Sequence, residues 1–443
     1  MDGTKERSKT VSIYTMGCKS NQYDSSALED TLRAASLDVV PFPGPADAYI
    51  INTCTVTGKT DYQSRQLIRK VRRTNPGSLV IVTGCYAQVS ADELGNIDGV
   101  DYILGNPEKG RVIEFIKRGR SPRPVTLVGP SGEGTPFTLR AKGSSGRTRA
   151  NLKVQEGCGR LCSYCVIPMA RGRSRSLALE DIEREIDSLV ENGYREVILT
   201  GIHLGAWGAD LTPPMSLTSI LSLIEKKGYP CRFRISSLDP DEITDELIEI
   251  MRSARSVCNH LHLPLQSGDD SVLRMMKRPY TREVFREKVE KIASAVPEVS
   301  VGADVIAGFP GEGECEFEKT YSLLEDLPLS YLHIFPYSRR RGTAAAGYRG
   351  QVDPREVRER CDRLKSLDAS KTAEFYRSFA GKEATVLIEF ARDKKTGLLK
   401  GRARNYIQVY VDDADGLANT LTRVRLTGFG PDGMTGEVIG GRL

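Results

Sequence analysis
Ten cysteines are spread over the 443 residues, and six of them form two triads of different kinds. Cys158, Cys162 and Cys165 crowd into GCGRLCSYCVIP as CxxxCxxC. Zinc sites favour paired CxxC motifs with a fourth ligand, and no second pair lies nearby. Three thiolates on one loop can instead hold three irons of a [4Fe–4S] cube and leave the fourth iron open to a substrate. Cys18, Cys54 and Cys85 are far apart, yet each ends a strand-like apolar run: VSIYTMGC, AYIINTC and LVIVTGC. Cysteine is also a common core residue, so three buried thiols is the competing reading of that triad. Cys231, Cys258, Cys315 and Cys361 share no spacing and read as structural.

The elements around the scattered triad decide between those readings. Strand-like runs at 11–18, 48–54, 79–85 and 102–105 alternate with helical runs at 25–35, 61–73 and 111–118, which implies a parallel α/β sheet. Ligands of such sheets sit beyond the carboxyl ends of the strands. All three cysteines occupy that position, so one sheet edge can gather them.

Residues 119–149 are rich in Gly, Pro, Ser and Arg and read as a connector. A longer alternation follows, with strands expected at 151–158, 196–203, 231–238, 259–267, 300–309 and 330–337. The helices between them are expected near 178–192, 216–227, 241–254, 281–295 and 314–325. Gly193 suits the end of the first helix, and Thr281 the N-cap of the fourth. Six βα units in series suggest a partial parallel barrel whose working face is the C-terminal end of its strands. The CxxxCxxC loop follows the first of these strands. A helix near 354–378 then leads to β-like runs with turns, read as a small antiparallel barrel of a kind that often binds oligonucleotides.

The net charge of +5 does not itself argue for nucleic acid, but basic residues are bunched. Arg171, Arg173 and Arg175 fall within five positions, Arg339 to Arg341 are contiguous, and 392–404 carries six basic residues against one acid. Such bunches fit a phosphate footprint, as solvated basic loops also do. No apolar run approaches the ~20 residues that cross a bilayer, and MDGTKERSKT is too polar for a secretory signal. A cytoplasmic location without membrane attachment is expected.

CxxxCxxC with Tyr164 before its last cysteine, after the first strand of a βα barrel, resembles the radical S-adenosylmethionine (SAM) superfamily. The resemblance implies that the open iron chelates SAM, and that one electron from a reducing donor protein yields a 5′-deoxyadenosyl radical. The cofactor carries that chemistry and the protein positions it. Further SAM contacts implied at the strand ends are Thr200, Gly201, Ser236, Ser237, Gln266, Ser267, Asp304 and Gly308. His260 and His262 could form a ligand pair, but satisfied barrel-interior histidines, with His203 and His333, are the plainer reading. Trp207 reads as a rim contact or a stacking platform.

Taken whole, the order of parts resembles the methylthiotransferases: a three-cysteine α/β domain (9–120), a linker (121–145), a radical-SAM barrel (146–376) and a TRAM-like RNA-binding β-barrel (377–443). In that family Cys18, Cys54 and Cys85 would hold a second [4Fe–4S] cluster that presents sulfur to the substrate, and the sequence names no donor for that sulfur. The wording GCKSNQYDS, NTCTVTGKTDYQSRQLIRK and VTGCYAQ resembles the threonylcarbamoyladenosine tRNA branch. The implied reaction is methylthiolation at C2 of adenosine 37 in the tRNA anticodon loop. Arg171 and Arg173 are candidates for the threonylcarbamoyl carboxylate. The alternatives are methylthiolation of isopentenyladenosine tRNA or of a ribosomal-protein aspartate, and a non-catalytic RNA-binding iron–sulfur sensor.

Overall fold
The fold is that of a computed structural model, which describes residues 8–132, 139–141, 143, 148–412, 415–430 and 432–442. Much of the expected linker, at 133–138, 142 and 144–147, lies outside the described residues.

The N-terminal sheet is parallel throughout, in the order β2-β1-β3-β4-β5-β6. Its strands are β1 (Thr10–Thr15), β2 (Asp38–Val40), β3 (Ala48–Thr53), β4 (Leu79–Gly84), β5 (Tyr102–Leu104) and β6 (Val125–Leu127). β3 and β4 are buried at every residue, as strands covered on both faces must be, and AYIINT and LVIVTG are correspondingly apolar. The sequence predicts only four of these strands. β2 and β6 are three-residue edge strands, partly exposed, with too little apolar content to register. β6 falls in the expected connector, so part of that segment is sheet.

Six parallel strands make the second unit: β7 (Arg149–Lys153), β10 (Glu196–Thr200), β11 (Arg232–Ile235), β12 (His260–Gln266), β13 (Ser300–Ala307) and β14 (Tyr331–Pro336). Between the first two of these, β8 (Gln155–Glu156) and β9 (Arg175–Ser176) form a short antiparallel ribbon that flanks the CxxxCxxC loop. The ribbon takes over the second half of the single strand expected at 151–158. The six run in chain order as two three-stranded sheets, linked by the bridges Phe233–Val257 and Ser237–His262. Thr281 caps the helix Arg282–Ala295 through Val284 N, and Gly193 takes φ +80° after the helix Leu179–Glu191.

The helix Pro354–Arg377 packs along β14 and leads to a closed five-stranded barrel, ordered β15-β16-β17-β19-β18. Its strands are β15 (Glu383–Arg392), β16 (Leu399–Ala403), β17 (Gln408–Val411), β18 (Leu421–Gly430) and β19 (Gly433–Arg442). One pairing, β17 with β19, is parallel, so the barrel is not antiparallel throughout. The strand-like run across 398–411 breaks at Tyr406, whose φ is +70°. That turn sends the Tyr406 ring against His260, 4.5 Å away, and under Arg234. This barrel is fastened to the N-terminal ends of the six strands. Arg232 donates to Arg402 O (2.7 Å), Arg234 to Arg404 O (2.9 Å), and Arg149 pairs with Glu389 (2.8 Å). No helix among the described residues is long and apolar enough to cross a membrane.

Candidate active site
The two triads occupy the carboxyl edges of two different sheets, and the structure draws each together. In the barrel, Gly157 turns the chain into the cysteine loop with φ +76°, and a Cβ there would lie 1.9 Å from Arg173 O. Cys158 N donates to Gly172 O and Cys165 N to Cys162 O. Ser163 ties the loop to Met275 and Met276 through its hydroxyl and amide. Arg278 donates to Cys162 Sγ at 3.2 Å while paired with Asp239. Burial pushes the Cys165 thiol up to about 12, and Cys162 and Cys158 push it the same way.

At the N-terminal sheet, Cys18 precedes the helix Lys19–Ala34, Cys54 directly follows β3, and Cys85 directly follows β4. Gly17, at φ +99°, is so close to Cys54 that a Cβ would lie 2.6 Å from Cys54 Cβ. Asn21 ties the first two cysteine loops by donating to Met16 O (2.7 Å) and Thr53 O (3.0 Å). Burial pushes the Cys54 thiol up to about 12, with Cys85 and Cys18 adding to it. None of the six cysteines is in a disulfide.

Both triads fit a thiolate-held cluster. In each triad the other two thiols oppose ionisation of one member, Cys54 or Cys165, which a bound cation reverses. The glycines leave room that no side chain could share, and Arg171 and Arg278 bring N–H donors to the Cys85 and Cys162 sulfurs, the kind of outer contact that tunes such centres.

Arg171 joins the two neighbourhoods. It ends the helix Ile167–Arg171, just past the CxxxCxxC loop, and its Nε donates to Cys85 Sγ at 3.2 Å. Its guanidinium also pairs with Glu156 (2.8 Å) and Asp24 (3.2 Å), and Asp24 binds Lys109 (2.7 Å) and Lys153 (2.6 Å). Arg171 is thus buried and committed, which removes it as a partner for a substrate carboxylate. Although burial opposes ionisation of Asp24, Lys109, Lys153 and Arg171 hold its carboxyl well below the usual range. Asp24→Asn should cost about 3–5 kcal/mol of stability, because three buried cations would then face Glu156 alone. A denaturation midpoint unchanged from wild type would contradict this. Arg340, from the basic run 339–341, is likewise buried, bonded to Asp61 and to Thr55 Oγ1, and helps dock the sheet on the barrel.

The strand-end residues divide. Thr200 ends β10 and Gly201 follows it, Ser236 and exposed Ser237 follow β11, and Tyr164 packs edge-on against Phe309. Gln266 closes β12 at φ +68°, a conformation non-glycine residues seldom hold without a reason. Ser267, by contrast, is fully buried with its hydroxyl toward Thr320. Gly308 is required by packing, since a Cβ would lie 2.3 Å from Val357. Asp304 sits within β13, paired with His262 (2.7 Å) and His333 (3.3 Å). His260 and His262 both bond the Tyr331 hydroxyl; His262, also paired with Asp304, is a satisfied interior histidine, whereas the buried Nδ1 of His260 has no hydrogen-bond partner among the described residues. Trp207 is buried with Nε1 on Leu177 O, neither rim contact nor stacking platform.

Three residues that tie the cysteine loops in place, Gln155, Arg278 and Asn21, are not predicted from the sequence. Gln155 donates to Glu156 O and Gly157 O and accepts from His203 N, clamping the loops after β8 and β10 together. The polar alternation Asn151, Lys153, Gln155 is a signal for it; Arg278 and Asn21 carry none.

A cysteine-bearing loop over the carboxyl face of a six-stranded parallel barrel defines a radical-SAM enzyme, and residues 152–324 match the family model described as the Radical SAM superfamily. Residues 10–105 match the Uncharacterized protein family UPF0004. The chain belongs to the methylthiotransferase family. It is 37% identical over 94% of its length to the threonylcarbamoyladenosine tRNA methylthiotransferase MtaB of Bacillus subtilis (strain 168), covering 93% of that protein. It is 40% identical over 85% of its length to the MtaB of Aquifex aeolicus (strain VF5), covering 92% of it. A tRNA-2-methylthio-N(6)-dimethylallyladenosine synthase from Carboxydothermus hydrogenoformans is 35% identical over 95% of the chain and 97% of that protein. In fold it resembles the radical SAM methyltransferase TsrM from Kitasatospora setae, with TM-score 0.55 and 15% identity over 74% of this chain and 73% of that one.

Proposed function
We propose that the chain inserts a methylthio group at C2 of N6-threonylcarbamoyladenosine 37 in tRNA, using two [4Fe–4S] clusters and SAM. The observation that carries this is the convergence of two thiol triads on one junction, spanned by Arg171 between the barrel loop and Cys85. A carbon radical must meet its sulfur source before anything else, and two cluster sites on facing edges meet that need. Relatives named for threonylcarbamoyladenosine support the branch.

In this reading Cys158, Cys162 and Cys165 hold the SAM-chelating cluster, and Cys18, Cys54 and Cys85 hold the sulfur-bearing one. When bound, these groups supply reductive radical chemistry and sulfur. Arg278 and Arg171 orient a ligand thiolate in each set. Tyr164, Thr200, Gly201, Ser236 and Gln266 form the SAM-facing rim, while Ser267, Gly308 and Asp304 support it from behind or below. The units run 9–120, extended to include β6, then 146–376 and 377–443. A reducing donor protein supplies the electron, and the reaction belongs in the cytoplasm.

The reading is tested by giving anaerobically reconstituted enzyme both tRNAs and digesting them for nucleoside mass spectrometry. Threonylcarbamoyl tRNA should be converted, and isopentenyladenosine tRNA should lag by at least ~30-fold, the lower end of the cost of an unpaired buried charge. Equal turnover would move the chain to the other branch.

The C-terminal barrel is the expected tRNA-binding unit, but it cannot simply be deleted, since Arg232 and Arg234 would lose their carbonyl partners. Lys394 and Lys395 are exposed on it. Replacing both by serine should lower the salt slope of tRNA binding by about 0.7–0.9 for each phosphate these lysines neutralise, read by titration at several ionic strengths. An unchanged slope would assign phosphate binding to another surface.

A further inference from the structure
Lys19 immediately follows Cys18 and opens the helix Lys19–Ala34. Lys19 is half-buried and shares a cavity with Arg149 and Ile198 of the six-stranded barrel and with Tyr406. Among the described residues it takes neither a hydrogen bond nor an ion pair. The charge around it does not cancel. Glu196 is shared by Arg232 (2.6 Å) and Arg234 (3.1 Å), and Arg149 is held by Glu389 (2.8 Å). Lys19 and three arginines therefore face two carboxylates, both already engaged.

Lys19 also lines a cavity of about 480 Å³ with Gln22, Arg149, Asn151, Ile198 and Tyr406. That volume lies within the roughly 300–1,000 Å³ of small-ligand sites. Gln22 is one turn along the same helix, and its Oε1 accepts from Asn151 Nδ2 at 3.1 Å. The cavity thus presents one uncommitted cation, an amide pair, the Glu389 carboxylate that Arg149 engages, and apolar walls at Ile198 and Phe390. It begins one residue from a cysteine of the N-terminal triad.

We propose that this cavity receives the N6 substituent of the substrate base, with Lys19 pairing the threonylcarbamoyl carboxylate and Gln22 and Asn151 meeting its amide groups. The inference rests on the tRNA reading above and gives the carboxylate a partner that Arg171 cannot be. A lysine suits the task because its ammonium is a point charge on a flexible stem and accepts a carboxylate from several directions.

The test offers wild type and Lys19→Gln tRNA carrying threonylcarbamoyladenosine or its methyl ester, with iron content measured on each enzyme. Wild type should favour the acid by about 30- to 100-fold in kcat/KM, the lower end of the cost of truncating one partner of a buried charge pair. Lys19→Gln should reduce that preference to within ~3-fold, chiefly through KM, and Lys19→Arg should restore much of it. Should Lys19→Gln lose iron, Gln22→Glu serves instead: both substrates lose the Gln22 amide contact, but a carboxylate one turn away also neutralises Lys19, so the acid slows further and the acid-to-ester preference falls. A variant with full iron that keeps the wild-type preference overturns the pocket, as does a wild type indifferent to esterification. Turnover of neither substrate by wild type overturns the tRNA reading and the pocket together.

Discussion

A Cys54→Ala enzyme is expected to cleave SAM reductively and to form no methylthiolated nucleoside. Cys54 is 5% exposed, directly follows β3 and backs onto Gly17, so alanine fits the space and removes only the sulfur. The barrel loop is built from other residues and keeps its anchors at Met275, Met276 and Gly172. Iron should therefore fall from about eight to about four per chain, one cube's worth. Replacing Cys158, Cys162 and Cys165 together should remove the other four and stop SAM cleavage as well. Normal product from Cys54→Ala would sink the two-centre mechanism, whereas loss of both activities would mean that the two triads are not separable.

The second large effect separates two glycines two residues apart. Gly157→Ala should empty the barrel cluster, and Gly159→Ala should leave it loaded. At Gly157 the left-handed backbone alone costs an alanine about 1–3 kcal/mol. The Cβ would also sit 1.9 Å from Arg173 O and 2.8 Å from Gly172 O, which are backbone atoms with little freedom to retreat. Together these exceed ~3 kcal/mol, enough to cut the population of the correct loop by more than ~100-fold. Nothing lies within 4 Å of a Cβ built on Gly159, and its φ is ordinary. Iron analysis and SAM cleavage on the two variants decide the matter; equal behaviour would refute the geometric account of the loop.

Features with a local cause are readable in the residues. The six cysteines stand out because thiols at fixed loop spacing, or gathered at strand ends, have few uses besides ligation. The barrel is visible because each strand is apolar enough, and each helix long enough, to show its period. What escapes is set by distant partners. β2 and β6 depend on their neighbours in the sheet, so three-residue edges carry no pattern of their own. Arg171 reads as a free cation because Asp24, 147 residues away, is invisible to local pattern. Trp207 reads as a rim residue because its Gly-rich surroundings resemble a surface loop, yet its indole is buried against Leu177 O. Tyr406 lies inside a run with strand composition, and only its positive φ breaks that run and sends the ring toward His260.

The bonds from Asp24 to Lys153 and Arg171 also order events during synthesis. The N-terminal sheet contains all of its cysteines by residue 85, but Lys153 follows Asp24 by 129 residues and Arg171 by 147. Cys85 precedes Arg171 by 86 residues, so at roughly 5–20 residues per second the full set of thiols waits about 4–17 s. During that interval the nascent sheet carries an acidic group that gains Lys109 but still awaits Lys153 and Arg171, and Cys85 lacks its guanidinium cover. Its thiols are open during that time to oxidants and to competing soft metals. The time to emergence of residue 171 therefore sets the earliest moment at which the first triad stands in its native surroundings.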